Sequence, residues 1–189
     1  MGFDKQLLTL NHTRLFERNY RILKNYFSEI MVSTYTPELY KDYDVVCVED
    51  VFPHLGPLSG IHAGLSAATS DYVYVLACDM PVILPPYIQF MQLNIYTSST
   101  APDACVTQND GWFEPFNAFY GKTALPQITA DLSEEKSSVQ YLLREIRAME
   151  IQKKEALRFC PDWTMFLNLN SRELYETYAA NFHILHPGE

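Results

Sequence analysis

Residues 71–81 read DYVYVLACDMP, and this stretch constrains the fold more than any other. Tyr72 to Ala77 form an unbroken apolar run with β-branched and aromatic residues, which predicts a buried strand. Asp79 follows the run, and Pro81 stops it and turns the chain away. Where such strands alternate with helices, the sheet is mostly parallel and ligands gather at the carboxyl ends of its strands. A carboxylate at this position therefore stands at the rim of a cleft.

The alternation is there. EIMVST at 29–34 and DVVCVED at 44–50 read as further short buried strands. Phe16, Tyr20, Leu23 and Phe27 recur at helical steps, predicting a helix over 11–27 capped by Asn11 or Thr13. Pro37 to Tyr40 suggests a short helical turn, Gly60 to Thr69 a helix rich in small residues, and 86–96 another helix. Beyond residue 100, strands are expected at 103–108 and 114–120 around Asp110-Gly111. Helices are expected at 122–132 and 137–148, a late strand at 163–170, and a helix from Ser171 to about Ala180, with Asn170 and Glu173 spaced as in a capping box. The tail HILHPGE carries no periodic pattern. The prediction is one α/β domain over 1–189 with a mostly parallel sheet.

Composition removes several classes of function. The 189 residues carry a formal net charge of −9, which argues against nucleic-acid and anionic-membrane binding, since both need a basic face. Hydrophobic residues make up 48%, enough for a real core. No run approaches the ~18 apolar residues of a membrane span, and residues 1–10 lack the apolar region of a signal peptide. Cys47, Cys78, Cys105 and Cys160 show no metal or redox spacing and read as reduced core thiols. A soluble, cytoplasmic protein is the expectation.

Several residues could carry chemistry, each beside a plainer reading. Asp79 is a hard oxygen donor suited to Mg²⁺, or a cap for the following turn. Lys5, just before a helix and beside a glycine-containing loop, can reach phosphate oxygens, or is a solvated charge. Gly56 and Gly60 in GPLSGIHAGL permit close backbone approach to a base or anion, or a tight turn and helix packing. His62 reads as a packing or surface residue. Asn168 and Asn170, two apart, suit a polar ligand or metal-bound phosphate, or cap a helix. No Ser-His-Asp or Cys-His arrangement stands out.

Taken together and in order, MGFDKQLL, ED at 49–50, GPLSGIHAGL, LACDMP, EPFNAFY, SSVQYLL and FLNLNSRELY resemble the molybdenum cofactor guanylyltransferases. The likeness runs from residue 1 to about 176. It implies a three-layer α/β/α Rossmann-like nucleotidyltransferase fold. It also implies transfer of GMP from GTP to the terminal phosphate of molybdopterin, with Mg²⁺ and release of pyrophosphate. Partner molybdoenzymes or their chaperones belong to the same implication. On this resemblance Lys5 binds the GTP phosphates, and Asp50, Gly56, Pro57, Leu58 and Gly60 lie on the nucleotide side. Asp79 holds the metal, while Asn168 and Asn170 lie near the metal and the pterin phosphate. Ser33 stands where the family often has Asn.

The family pattern opens with a strand and a glycine-rich loop, of which only Met1-Gly2 survive here. The expectation is that the first strand is absent from the sheet and that Met1 is an internal methionine, the gene product starting about one strand and one loop upstream. Two other readings stand beside the guanylyl one: a cytidylyltransferase of the same superfamily, and a degenerate relative that binds without turnover. The sequence leaves open whether Glu114 and Asn117 touch the pterin or shape a strand.

Overall fold

The structure is a computed structural model that describes residues 4–182. It opens with a 3₁₀ turn at Lys5–Leu7 and a short antiparallel hairpin, β1 (Thr9–Leu10) and β2 (Thr13–Arg14). Asn11 and His12 form its turn, both at positive φ. The first helix therefore starts later than the periodicity predicts: α1 spans Leu15–Leu23, and its N-cap is Arg14, not Asn11 or Thr13.

β3 (Met31–Ser33) and β4 (Val46–Val48) pair in parallel, with a 3₁₀ turn at Pro37–Tyr40 between them. α2 (Pro57–Ala67) leads into β5 (Tyr72–Val75), and α3 (Pro85–Thr97) follows. β6 (Ala104–Asn109) and β7 (Trp112–Gly121) form the expected hairpin around Asp110-Gly111. α4 (Leu125–Ser133), α5 (Val139–Glu145), β8 (Ala148–Gln152), α6 (Lys153–Ala156) and α7 (Arg172–Ala180) complete the order.

The α/β class holds, but the sheet is mixed, not mostly parallel. The larger sheet runs β5-β7-β6-β8; β7 is antiparallel to both its neighbours, and β8 is parallel to β6. The cause is the 104–121 hairpin, since a tight turn can join only antiparallel strands. The helix expected over 137–148 ends earlier, at Glu145, and residues 148–152, mostly beyond any expected element, form the edge strand β8. Residues 163–170, expected as a strand, are a 3₁₀ turn at Thr164–Phe166 followed by irregular chain. The cap of α7 is Ser171, whose side chain accepts from the Leu174 N–H, and not Asn170. Met1 and the tail HILHPGE lie outside the described residues.

The main core joins both faces of the large sheet, with Leu58, Leu65, Tyr87, Met91, Tyr120 and Ile128 almost wholly buried. A smaller cluster ties α7 to the N-terminal segment through Leu8, Leu10, Leu15, Leu169, Tyr178 and Phe182. This second cluster matters for function because it brings residues 5 and 170 to one place.

Candidate active site

Three segments distant in sequence meet where β5 runs out. Asp79 is 3% exposed, and its Oδ2 receives the Lys5 ammonium at 2.5 Å. Lys5 also donates to Asn170 Oδ1 at 2.6 Å. The backbone N–H of Leu169 donates to the Asp79 carbonyl at 2.9 Å, fixing the 168–170 segment against the turn. Asn168 Nδ2 donates to the Phe166 carbonyl. The two asparagines reach the site from irregular chain, not from the strand end their spacing suggests.

Lys5 is held there by its neighbours. Asp4 accepts from the Gln6 N–H and caps the 3₁₀ turn. Gln6 Oε1 takes hydrogen bonds from the hydroxyls of Thr34, Thr36 and Tyr40 at 2.8, 3.2 and 3.1 Å. Arg14 donates to the carbonyls of Gln6 and Leu39, its guanidinium over the Phe16 and Tyr40 rings. These contacts pin a segment that has no long element of its own. From the other side, Asn19 of α1 donates to the Met80 carbonyl at 3.0 Å.

Lys5, Asp79, Asn168 and Asn170 line one cavity of about 400 Å³, together with Glu114 and Phe116. Sequence reasoning left Glu114 undecided. Between the pairs Cys105↔Phe119 and Thr107↔Glu114 the ladder shifts register, so Val106 of β6 stands opposite residues 115–118 of β7. Such a bulge re-aims side chains. Asn117, at φ 55°, turns inward, where it accepts from Tyr74 Oη and donates to the Met165 carbonyl; it shapes the strand. Glu114 stays in the cavity wall. Burial raises its carboxyl above the ordinary range, partly offset by a hydrogen bond from Trp163.

A second cluster lies beside the first. Ser33 Oγ donates to Asp50 Oδ1 at 2.8 Å. Gly60 lies against this pair: a Cβ built there would stand 3.4 Å from Ser33 Oγ and 3.9 Å from Asp50 Oδ1. Gly56 caps α2 at φ 69°, ψ −154°, a conformation nearly confined to glycine, and Pro57 occupies the first helical turn, where its missing N–H costs nothing. Pro57 borders the cavity that holds Asp79. Leu58 is fully buried in the core, so its side chain is a packing residue. His62 is one too: its Nε2 pairs with Thr129 Oγ1, its ring meets Phe52 edge-on, and burial pulls its pKa down against the opposing influence of Asp50.

The donor set can be tested against Mg²⁺. Among the described residues no group of three His, Cys, Asp or Glu side chains converges, so there is no all-protein cage. Mg²⁺ commonly uses one or two carboxylates and takes its other oxygens from water and substrate phosphates. Asp79, in one cavity with Asn168 and Asn170, fits that pattern. No helix among the described residues is long and apolar enough to cross a membrane.

Comparison with known proteins gives the family. The chain is 41% identical over 182 residues to a probable molybdenum cofactor guanylyltransferase of Peptoclostridium acidaminophilum, covering 95% of this chain and 82% of that one. It is 42% identical over 178 residues to the molybdenum cofactor guanylyltransferase of Syntrophotalea carbinolica, covering 94% and 84%. The fold superposes on the crystal structure of molybdopterin-guanine dinucleotide biosynthesis protein A from Archaeoglobus fulgidus with a TM-score of 0.81 at 19% identity, over 97% of this chain and 92% of that one. The model of the MobA-like NTP transferase domain matches residues 1–151, a span that holds Lys5, the Ser33–Asp50 pair, the start of α2 and Asp79; the chain belongs to that family.

Proposed function

We propose that the chain transfers GMP from GTP to the terminal phosphate of molybdopterin, releasing pyrophosphate, in the cytoplasm. The observation that carries this is the convergence of Lys5, Asp79 and Asn170 in one cavity. The curated names of the relatives at 41% and 42% identity support it. A cation and a carboxylate at the mouth of an α/β sheet suit a polyphosphate whose negative charge shifts during reaction.

In this reading an oxygen of the acceptor phosphate attacks the α-phosphorus of GTP. One P–O bond forms to the acceptor, the α–β P–O bond breaks, and the electron pair leaves with pyrophosphate. No protein nucleophile is required. Lys5, shared between Asp79 and Asn170, turns to the phosphates on binding and balances their charge. Ser33, Asp50, Gly56 and Gly60 form the nucleotide side, where the lack of a Cβ at Gly60 lets a base or ribose approach the Ser33–Asp50 pair. Asn168 and Asn170 orient the acceptor phosphate, and Glu114 lines the acceptor side. Asp79 would hold Mg²⁺, which supplies charge neutralisation on the phosphates when bound.

The test is pyrophosphate release from GTP, with CTP as the control, in the presence of molybdopterin and Mg²⁺. GTP-selective release that falls about 10²–10³-fold in Lys5→Met, the scale for losing one stabilising donor, supports the reading. Release that requires CTP, or that survives Lys5→Met unchanged, overturns it.

A further inference from the structure

Glu114 is held from two directions. On the β7 edge, the Gln140 side chain of α5 accepts from the Phe113 N–H at 3.1 Å and donates to the Phe113 carbonyl at 2.6 Å. The amide can do both at once, and so acts as a strand partner for one residue. It does this beside Glu114, where β7 has left β5 and has β6 alone as a neighbour. From the other side, Trp163 donates a hydrogen bond to the Glu114 carboxyl. Trp163 takes φ 64°, ψ 7°, a left-handed conformation that a bulky residue adopts only where its surroundings impose it. Its ring packs on Phe166 with centroids 4.7 Å apart.

The carboxylate so held is short of donors. An ionised carboxyl offers about four acceptor sites, and among the described residues Trp163 supplies one hydrogen bond. Lys5, in the same cavity, is engaged with Asp79 and Asn170. Lys153, over the Trp163 ring, is paired with Asp110 at 3.0 Å. Burial without a compensating charge is what raises the Glu114 carboxyl. Pro57, Met80, Pro115 and Phe116 give the cavity apolar wall. The cavity therefore has two kinds of polar wall. Lys5, Asn168 and Asn170 suit an anion. Glu114 repels one and calls for uncharged N–H donors on a flat, largely apolar body.

We infer that Glu114 is the specificity-determining residue for the acceptor: its carboxylate pairs with the two adjacent N–H groups of a 2-amino-4-oxo heterocycle, the pterin ring, while the acceptor's phosphate lies at Asn168 and Asn170. The inference deepens the proposed transfer and takes from it the identity of the acceptor. A carboxylate accepts two parallel N–H bonds at once. A ring with a carbonyl in place of the amino group would set oxygen against oxygen. The guanine of GTP carries the same pair of donors. The pairing goes to the acceptor because Glu114 shares its cavity with Asn168 and Asn170, while the described wall of that cavity does not include Ser33, Asp50 or Gly60. Gln140 and Trp163 are positioning residues for it.

The probes are pterin and lumazine, the 2,4-dioxo ring of the same size, titrated into the whole chain. Trp112, 63% exposed, is first replaced by Phe, so that of the two tryptophans Trp163 alone reports quenching by a bound ring. The expected result is at least about tenfold tighter binding of pterin than of lumazine. Glu114→Gln should reverse that order, because a glutamine amide accepts from the ring N3–H and donates to the 2-carbonyl. Loss of packing alone does not reverse a preference. Glu114→Asp withdraws the charge by one methylene and should weaken pterin about tenfold with little effect on lumazine; it carries the test if Glu114→Gln does not fold.

Equal affinity of the parent for the two rings overturns the proposal. So does an order that Glu114→Gln leaves unchanged, or pterin affinity that survives Glu114→Asp. A fall in GTP affinity in Glu114→Gln with the ring preference intact would place guanine at Glu114 and overturn it too. Failure of the transfer reading shows elsewhere, in the choice between GTP and CTP and in Lys5→Met, and neither of these moves the pterin-to-lumazine ratio.

Discussion

Replacing Lys5 by Met separates the charge of this residue from its stem and tests the site as an electrostatic unit. In the protein as it stands, the Lys5 side chain is 28% exposed and that of Asp79 is 4% exposed. Removing one partner of a buried ion pair costs about 3–5 kcal/mol, because the other charge is left uncompensated. Lys5 is partly solvated, which reduces what the pair was worth, so Lys5→Met should cost about 2–3 kcal/mol. Asp79→Asn is the asymmetric control. It leaves an ammonium that can still reach Asn170 and water, and should cost only about 1 kcal/mol. Removing both charges should cost less than the sum of the single losses, giving a coupling of about 1–2 kcal/mol where distant sites would add within 0.3–0.5. The assay is urea unfolding of the four proteins, with the slope checked to be constant so that midpoints report stability. A loss in Asp79→Asn that equals or exceeds that in Lys5→Met would refute the reasoning, since the buried carboxylate would then not be the charge in need of its partner. Additivity would refute it too.

The two glycines of the nucleotide side should behave oppositely. Gly56→Ala puts a side chain at φ 69°, ψ −154° and should cost about 1–3 kcal/mol by strain alone, visible as a lower melting temperature. Gly60→Ala lies within α2 and should gain up to about 1 kcal/mol in helix propensity. Its new methyl fills the space beside Ser33 and Asp50 at ordinary contact distance, so calorimetric titration should show weaker GTP binding in a protein that is no less stable. Asp103 gives a pH signature. Burial raises its carboxyl, but the hydrogen bonds from Arg147 and Thr123 outweigh this and hold it below the ordinary range. A depressed carboxyl stabilises the fold above the unfolded-state value near 4, and that contribution fades as pH falls through the folded value. Asp103→Asn should therefore be less stable than the parent near pH 7, with the difference shrinking towards pH 3 in thermal melts.

The residues of the site were legible because chemistry and order both speak in sequence. A carboxylate after an apolar run, a lysine near a glycine-containing stretch and a pair of asparagines are readable without coordinates, but the meeting of residues 5 and 170 rests on the small cluster under α7, which no local pattern announces. What supports them was not legible. The alternation of WTMFLNLN is that of a strand, yet Trp163 takes φ 64° and, among the described residues, the segment's long-range backbone bond is a single one, from Leu169 to the Asp79 turn. The composition of AMEIQ favours helix, and it became β8 because β6 offered it a parallel edge; tertiary pairing overrides local preference. Glu114 was ambiguous because the register shift that keeps it in the cavity wall while Asn117 turns inward depends on how β7 meets two neighbours at once.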